Sequence, residues 1–386
     1  MIGTAEQIVF WICVGLLAYV YLGYPLLVYI VSVLFPKAVK HGEIQPQVTV
    51  LITAFNEEAA IAGKLQNTLE IDYAADKLEI LVASDGSTDR TDEIVIEHAG
   101  KGIRLFRQEG RVGKTMTQNK AVEQATGEII LFSDATTLYN KDVFHSILPA
   151  FADESVGCVA GRLVYVDEDH STVGKGARSY WNYETFIKIA ESRACSLIGA
   201  SGCLYAVRRS AYEPMYAEAC SDFLICTNIF RKGLRSVFAP DAVCYEHTNR
   251  VATDELRMRV RVISQTFTDL WRNRDMFNPL KSGFFAIELI SHKVLRYAVP
   301  FILLALLVAN VILIGGSLFY DLIVAIQILF YTLAFAGWIL ERMGVRLSVL
   351  AMPLYFVLAN LASVLAFYNF LRGETFTRWE PIRQAR

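Results

Sequence analysis

Long apolar runs at both ends of the chain restrict what its 386 residues can fold into. Residues 8–35 are almost uninterrupted apolar sequence, and further apolar runs cover 297–314, 318–340 and 347–371. A helix needs about 20 apolar residues to cross the hydrocarbon core of a bilayer, and each run is long enough or nearly so. With 54% hydrophobic and 20% charged residues, the chain is too apolar for an ordinary soluble protein and too charged to lie wholly in lipid. We therefore expect a soluble domain between membrane helices.

Charged residues beside the first run predict on which side of the membrane this domain lies. Lys37 and Lys40 follow the run, whereas Glu6 is the only charged side chain before it. Because an excess of positive charge marks the cytoplasmic side, residues 1–36 are predicted to form an N-terminal transmembrane helix with the following domain in the cytoplasm, at a bacterial-type inner or plasma membrane. The run has neither a basic n-region nor a small-residue cleavage site, which favours an anchor over a cleaved signal peptide.

The C-terminal apolar runs leave the number of crossings open. Residues 254–296 alternate arginines with large apolar side chains, which predicts amphipathic helices on the membrane surface. Residues 297–371 are predicted to hold two or three transmembrane helices, followed by an Arg-rich tail at 372–386. Three crossings would place this tail opposite the soluble domain, against the preference of positive charge for the cytoplasm. Either one run is interfacial or re-entrant, or the tail breaks that rule.

Between the apolar ends, strand-like and helix-like segments alternate, which predicts an α/β domain with a mostly parallel sheet covered by helices over 47–250. Strands are expected at 48–53, 78–84, 103–107 and 129–133, and helices at 57–69, from a cap near Thr88 or Asp89, and at 114–125. Such a fold hosts many activities. The function therefore has to be argued from the residues at the strand ends.

Charge and cysteine content exclude some classes of function. The net charge of −2 gives no overall basic field, so nucleic acid is not expected as a partner. The seven cysteines are odd in number and include no Cys-x-x-Cys pair. They are expected to be reduced thiols in the cytosol, with no disulfide framework and no zinc site.

Two aspartates each follow a predicted strand. Asp85 comes directly after 78–84, and Asp134 comes directly after 129–133. Ligands of open α/β sheets bind just beyond the carboxyl ends of the strands, and paired carboxylates there suit a nucleotide together with a divalent cation that neutralises its phosphates. Asp134 is therefore the candidate ligand of Mg²⁺ or Mn²⁺. Asp85 is a candidate nucleotide contact, with a plain Asp-Gly turn as the alternative.

Three shorter motifs are weaker evidence for a binding or catalytic site when each is taken alone. The segment 55–57, at the end of the first strand, could approach a nucleotide or only cap the next helix. Gly113 and Lys114 open a helix, and a helix N-terminus with a lysine suits a diphosphate, although most such pairs only begin a helix. Asp222 would begin another helix, aiming its carboxylate into the cleft or only capping that helix.

Taken together, residues 47–265 resemble the membrane-bound glycosyltransferase family 2, whose catalytic domain has the Rossmann-like GT-A fold and which includes cellulose, hyaluronan and poly-N-acetylglucosamine synthases and exopolysaccharide glycosyltransferases. The motifs that carry the resemblance stand in the family's order at Phe55-Asn56-Glu57, Asp85-Gly86-Ser87-Thr88-Asp89, Gly113-Lys114 with Asn119, Asp134, Ser201 to Arg209, and Ser221-Asp222. The resemblance implies metal-dependent, inverting transfer of a sugar from a nucleotide sugar, most commonly UDP-linked in this family, to a lipid-linked or polysaccharide acceptor in cell-surface polysaccharide synthesis.

The resemblance also implies roles for single residues. Asp222 would be the catalytic base, and Asp134 would be the metal ligand. The nucleotide sugar would be bound by Phe55, Asn56, Glu57, Asp85, Gly113, Lys114, Asn119 and Asp134. On the acceptor side we expect Gly202, Arg208, Arg259, Arg261 and Trp181, the last of which could equally be a core residue.

Two departures from the family pattern keep other functions open. Phe132 stands where the first acid of the Asp-x-Asp metal motif is usual, and the Gln-x-x-Arg-Trp motif of processive synthases is absent. Arg259 or Arg261 could supply the missing charge, and Trp379 could supply the platform. We expect single sugar transfer. The alternatives are a processive synthase that extrudes a polymer, a catalytically weakened scaffold of an export complex and, last, a transporter.

Overall fold

The computed structural model describes residues 4–166, 172–247, 252–345 and 347–378. Trp379 and the residues after it in the Arg-rich tail lie outside these described residues. The expectation that Trp379 supplies a platform therefore stays a prediction.

An eight-stranded mixed sheet forms the centre of the domain, in the order β3-β2-β1-β4-β7-β6-β8-β5. The strands are β1 Val48–Ala54, β2 Leu78–Ser84, β3 Ile103–Arg107, β4 Ile129–Asp134, β5 Leu138–Tyr139, β6 Val156–Val166, β7 Tyr205–Arg208 and β8 Arg235–His247. Strands β1 to β4 are parallel, β7 is antiparallel to β4 and β6, and β5 is antiparallel to β8. The predicted α/β sheet is confirmed, and the four strands expected from the sequence make up its parallel half.

Twelve helices are found among the described residues. They are α1 Ala5–Leu34, α2 Ile61–Leu69, α3 Thr91–Glu97, α4 Lys114–Gln124, α5 Val143–Ile147, α6 Thr172–Ala194, α7 Ser221–Arg231, α8 Ala252–Arg272, α9 Pro279–Ser282, α10 Phe284–Ile312, α11 Leu318–Arg342 and α12 Ser348–Leu371. Helix α2 begins four residues later than predicted. The reason is that Asn56 has a left-handed backbone (φ 54°) and the chain turns before it becomes helical.

Apolar side chains on the two faces of the sheet form separate cores. Strand β1 is buried along its whole length, as is usual for a parallel strand covered on both faces. Because side chains alternate along a strand, Val50 and Ile52 pack with Leu65 of α2 on one face. Leu51 packs with Ala121 of α4 on the other face. Helices α2 and α4 thus hold strand β1 from both faces, and with it the edge of the sheet where the carboxyl ends of the parallel strands lie.

In the described part of the chain, four helices are long and apolar enough to cross a membrane by length and composition, namely α1, α10, α11 and α12. The amphipathic helix expected after residue 254 is present as α8. The second amphipathic segment, expected at 283–296, is not a separate helix. It is the first half of α10, which continues without a break through a π-helical turn at Ile290–Val294.

A buried ionic cluster joins α6 of the domain to α10. His292 lies between two glutamates of α6, with Nε2 2.9 Å from Glu184 Oε1 and Nδ1 2.6 Å from Glu191 Oε1. Arg296 Nη1 lies 2.9 Å from the other oxygen of Glu184. The hydroxyl of Tyr24 in α1 donates to Glu191. Since unpaired buried charges are costly, this cluster holds the α/β domain and the apolar helices in one arrangement.

Candidate active site

Three charged side chains meet around Gly202, beyond the carboxyl end of β4. A Cβ atom at position 202 would lie 3.2 Å from Asp222 Oδ2, 3.2 Å from Lys114 Nζ and 3.7 Å from Asp134 Oδ2. These groups come from three elements, α7, α4 and β4, that are far apart in the sequence. The structure therefore brings together four residues that the sequence analysis assigned to the site.

Lys114 and Asp134 form an ion pair within this cluster. Their side chains keep 23% and 22% of their exposure, so both remain open to a ligand. Burial opposes the charge on Lys114, but the carboxylates of Asp134 and Asp222 outweigh it and raise the lysine pKa above its ordinary value. The lysine is thus a fixed positive charge next to the acid expected to bind the metal.

Asp222 lies in the first turn of α7 without capping it. The helix begins at Ser221, the N-cap is Cys220, and no side chain bonds to the helix end. The capping alternative for Asp222 is therefore wrong. Its carboxylate accepts from the Cys220 thiol at 3.0 Å through Oδ1, while Oδ2 faces Gly202.

Asp85 fixes the start of α4 from within the protein. It is completely buried, and its carboxylate accepts from the backbone N–H groups of Val112 (2.8 Å) and Gly113 (3.0 Å) and from the Thr117 hydroxyl (2.9 Å). The positive φ of Gly113 (96°) gives the turn that this contact needs. Asp85 is thus more than part of an Asp-Gly turn, and its direct contact to a nucleotide stays a prediction.

The segment 55–57 ties the first two strand ends together. The Asn56 side-chain oxygen accepts from the Thr88 backbone N–H at 2.7 Å, and the Glu57 backbone N–H donates to the Thr91 hydroxyl at 2.7 Å. The guanidinium of Arg111 lies 3.8 Å from the centroid of the Phe55 ring, which is within cation–π range. Helix α2 has Ala60 at its N-cap, so capping does not explain this motif. Nucleotide binding by these three residues remains a prediction.

Two predicted acceptor-side residues are engaged by other parts of the protein. Arg208 pairs with Ile129 at the opposite end of β4 from Asp134, and its guanidinium donates to the carbonyls of Val156 and Asp153. Its assignment to the acceptor side is corrected, because the register that puts it there cannot be read from the sequence. Arg259 is paired with Glu255 at 2.7 Å and stacked on Tyr355 of α12. Its assignment to the acceptor side stays a prediction that these contacts do not favour.

Asn119 is used within the protein. Its amide nitrogen donates to the Met215 carbonyl (2.7 Å), and its oxygen accepts from the Tyr212 hydroxyl (2.8 Å) and the Met215 N–H (3.0 Å). These bonds hold the loop that leads towards α7. Its assignment to the nucleotide site stays a prediction that these contacts do not favour.

Arg261 and Trp181 lie at the border of the cluster. The charges of Asp134 and Asp222 act on Arg261, but burial dominates and lowers the arginine pKa. Its Nε atom is buried and has no hydrogen-bond partner among the described residues. Trp181 packs against the main core and lies under the Lys188 ammonium, 5.3 Å away. That ammonium donates to Ser201, beside Gly202.

Sequence reasoning missed three polar groups that support the site. Burial and the nearby Asp134 raise the pKa of Glu246, at the end of β8, to about 7. Asp269 of α8 accepts from the Cys220 backbone N–H at 3.0 Å, and Lys64 of α2 donates to the Thr137 carbonyl at 2.8 Å. Glu246 could have been found by extending the strand-end argument to β8. The other two lie in helices without a sequence signal.

The donor atoms in the cleft fit a divalent cation that arrives with a phosphate ligand. Among the described residues, no group of three His, Cys, Asp or Glu side chains could hold a metal ion alone. Mg²⁺ in nucleotide sites commonly uses only one or two carboxylates together with substrate phosphates and water. Asp134 supplies such a carboxylate. Phe132, where a first acid is usual, is fully buried and stacked on Tyr205, with ring centroids 4.7 Å apart.

The fold is that of the GT-A class with attached membrane helices. One similar solved structure is the mannosyltransferase PcManGT from Pyrobaculum calidifontis in complex with GDP-Man and Mn²⁺. The superposition covers 95% of this chain and 99% of the mannosyltransferase chain, with a TM-score of 0.72 and 24% sequence identity. Residues 49–215 match the model of Glycosyl transferase family 2. Residues 49–215 therefore carry a Glycosyl transferase family 2 domain, and the resemblance inferred from the motifs is confirmed for this segment.

Two curated relatives indicate the range of products in the family. The chain is 26% identical to the poly-beta-1,6-N-acetyl-D-glucosamine synthase of Staphylococcus aureus over 251 residues, 63% of this chain and 60% of that protein. It is 30% identical to the beta-monoglucosyldiacylglycerol synthase of Synechocystis over 138 residues, 34% of this chain and 29% of that protein. The chain thus spans less than two thirds of the length of either relative. One of these names describes a polysaccharide product and the other a glycolipid.

Proposed function

We propose that this protein transfers a sugar from a nucleotide sugar to an acceptor at the membrane surface, with inversion at the anomeric carbon. The observation that carries the proposal is the meeting of Asp222, Lys114 and Asp134 around Gly202. Asp222 lies near the ion pair of Lys114 and Asp134, and within the described part of the chain it forms no ion pair of its own. The arrangement suits a single displacement, in which a base and a leaving-group site must lie on either side of one carbon atom.

In this mechanism Asp222 accepts the proton of an acceptor hydroxyl. The acceptor oxygen forms a bond to the anomeric carbon while the bond from that carbon to the diphosphate oxygen breaks. Lys114, Arg261 and the N-terminus of α4 stabilise the negative charge that develops on the departing nucleoside diphosphate. When Mg²⁺ or Mn²⁺ is bound at Asp134, it neutralises phosphate charge as a Lewis acid.

We further propose a UDP-linked donor and a lipid-linked or polysaccharide acceptor. The donor follows from the commonest nucleotide in the family, although the solved neighbour holds GDP-Man. The acceptor follows from the position of the site, since Arg261 belongs to the amphipathic helix α8 and α6 is joined to the membrane helices. The positive flank of α1 supports a cytoplasmic catalytic domain.

The test is nucleoside diphosphate release by the protein in lipid nanodiscs with Mn²⁺ or Mg²⁺ and a panel of nucleotide sugars. We expect release with one donor, and Asp222→Asn should lower its rate by about 10²–10⁴-fold while nucleotide binding is retained. Asp241→Asn, an exposed acid of β8, is the matched control and should keep the rate. A residual rate in Asp222→Asn above about a hundredth would show that Asp222 is not the base.

The same experiment separates the alternatives. Product length distinguishes single transfer from processive synthesis once a donor is found. Nucleotide binding without release would indicate a missing acceptor, whereas the absence of both would favour the scaffold.

A further inference from the structure

The last apolar helix, α12, differs from the other three candidate spans in its surroundings. In its most apolar window 44% of the residues are buried, against 22% in α1 and α10 and 17% in α11. Ala362 and Ala366 are completely buried against Ile263 of α8. We propose that α12 lies along the membrane surface beside α8 and does not cross the bilayer, so that the C-terminal segment stays on the side of the catalytic domain.

The first three membrane helices share one end that is remote from the domain. Phe10, near the start of α1, packs with Tyr320 of α11 at a ring distance of 5.1 Å and with Leu306 at the end of α10. The domain itself follows α1 and precedes α10. The chain therefore crosses towards the domain in α1, away from it in α10 and back towards it in α11.

Helix α11 indeed ends at the domain. Trp338, one turn before its end, packs against the cluster of Ala252, Leu354 and Tyr355. Ala252 is the first residue of α8. Helix α12 therefore starts on the domain side, and a full crossing would carry Leu371 to the remote end.

Contacts along α12 show that it stays at one depth. Phe356 packs with Tyr21 of α1 (5.9 Å) and Phe330 of α11 (5.5 Å). Eleven residues further on, Phe367 packs with Phe301 of α10 (5.3 Å). Phe10, Phe319 and Leu313 lie together near the remote ends of these helices. Each of the three partners stands 11 or 12 residues along the chain from the one of these that is nearest to it in sequence. At a rise of about 1.5 Å per residue, Phe356 and Phe367 of α12 therefore lie at the same distance from the remote end of the membrane helices. Helix α12 thus runs across α1, α10 and α11 and not alongside them.

The partner of α12 on the domain side cannot cross the membrane. Helix α8 carries Arg257, Arg259, Arg261, Arg272 and three acidic residues, far too many charges for a span. Near its end α8 still contacts α12, with Phe267 and Phe370 5.9 Å apart and Trp271 and Phe370 6.3 Å apart. A helix that follows α8 from one end to the other shares its level.

The chain after α12 returns to the catalytic domain. The Gln265 side chain of α8 donates to the Phe376 carbonyl at 2.8 Å, and the Thr377 carbonyl occupies the space that a side chain at position 113 would need. These contacts require residues 376–377 to be on the same side as Lys114. They also keep Arg372 and Arg378 on the side that positive charge prefers.

Opposite faces of α12 suit this position. Toward the protein it presents the small residues Ala362 and Ala366, and away from it stand the exposed side chains of Leu361, Leu365 and Tyr368. A helix with one packed face and one exposed apolar face is covered by lipid at the boundary between headgroups and acyl chains. The partner of this face is the membrane itself.

Single-cysteine labelling in membrane vesicles tests on which side the chain ends. The seven native cysteines are buried, so the parent protein gives the background. A membrane-impermeant maleimide should modify Glu374→Cys from the same side as Lys101→Cys in the domain, and Ser317→Cys, between α10 and α11, from the other side. All three positions are exposed. Modification of Glu374→Cys from the side of Ser317→Cys would overturn the proposal.

A crosslink tests the contact itself. Gln265→Cys with Phe376→Cys should be joined by a short bismaleimide, because the Gln265 side chain reaches the Phe376 carbonyl, whereas a crossing α12 would separate the two positions by the hydrocarbon thickness of about 30 Å. Gln265→Cys with Ser317→Cys is the control pair and should stay unlinked. If the first pair also stays unlinked while Glu374→Cys is modified from the domain side, α12 does not follow α8 and the proposal is wrong.

Discussion

Gly202 has no side chain, and the charged groups of Asp222, Lys114 and Asp134 lie around it. Even a methyl group there would lie 3.2 Å from both Asp222 Oδ2 and Lys114 Nζ. Both side chains are held by other contacts, Asp222 by the Cys220 thiol and Lys114 by Asp134. A side chain at position 202 would therefore crowd the two groups that the proposed mechanism uses.

Gly202→Ala should lower the turnover number strongly while the protein stays folded. The methyl group displaces the base or the lysine by a few tenths of an ångström and narrows the space for the acceptor, and misplacement on the scale of 1 Å can cost about 10²-fold in rate. The measurement is kcat with the donor identified in nanodiscs, alongside the unfolding midpoint. Gly63→Ala in α2, where a Cβ meets nothing within 4 Å, is the control. Equal rates for both variants would contradict a crowded centre at Gly202.

Residue chemistry was predictable from the sequence where it coincided with a strand end. Asp85 and Asp134 follow buried apolar strands, so both their position and their proximity to α4 could be inferred. Arg208 was placed wrongly because antiparallel pairing carries it to the other end of β4. Asp269 was missed because the sequence of a helix does not show that one of its side chains accepts a hydrogen bond from the N-cap residue of a distant helix.

At the level of secondary-structure elements, one buried carboxylate, that of Asp269, connects helices α7 and α8. Asp269 is completely buried and accepts from the Cys220 N–H and the Tyr216 hydroxyl. Burial raises the pKa of Asp269 well above its ordinary value. Since Cys220 precedes α7, this contact sets the position of the catalytic candidate Asp222 from the membrane-surface helix.

Asp269→Ala should lower kcat by about tenfold or more and leave nucleotide affinity unchanged. The physical reason is that an unpaired N–H next to α7 costs about 1–3 kcal/mol and allows the helix start to move, while Lys114 and Asp134 are untouched. The readouts are kcat and the Kd for the nucleoside diphosphate. Asp254→Ala, a partly exposed acid of the same helix, serves as the control. A parallel loss of nucleotide affinity would mean that Asp269 acts on the whole fold.

The parallel half of the sheet was predictable at this scale, and the other half was not. The sequence predicts the ends of strands β1, β2, β3 and β4 to within a residue. Strands β6, β7 and β8 pair over long distances in the chain. Local patterns cannot specify such pairing. Residues 283–296 were expected to lead into the bilayer, and they form the first half of α10. Their pairing with α6, which lies far away in sequence, could not be predicted.

For the whole molecule, a buried lysine links stability to pH. Lys64 is 1% exposed, and burial lowers its pKa to about 7, whereas a lysine in an unfolded chain titrates near pH 10.4. Between these values the unfolded chain holds a proton that the folded protein has released, so the free energy of unfolding should rise with pH from about 7 to 10. Unfolding midpoints in denaturant across this range measure the effect.

Lys64→Met should remove most of this rise, because it replaces the group that releases the proton. Lys101→Met, at an exposed position, should leave the rise unchanged. A parent protein whose stability falls over the same pH range, or a Lys64→Met variant that keeps the full slope, would show that Lys64 is not the group responsible.

A helix that lies flat has a consequence for the shape of the protein in the bilayer. In the proposed arrangement, helices α1, α10 and α11 would displace lipid in both leaflets, whereas α8 and α12 would displace it in one leaflet alone. The protein would then be wider on its catalytic side, like a wedge, and would fit best where that leaflet is under low lateral pressure. Membrane curvature and lipid headgroup size would thereby influence an enzyme whose chemistry takes place outside the hydrocarbon core.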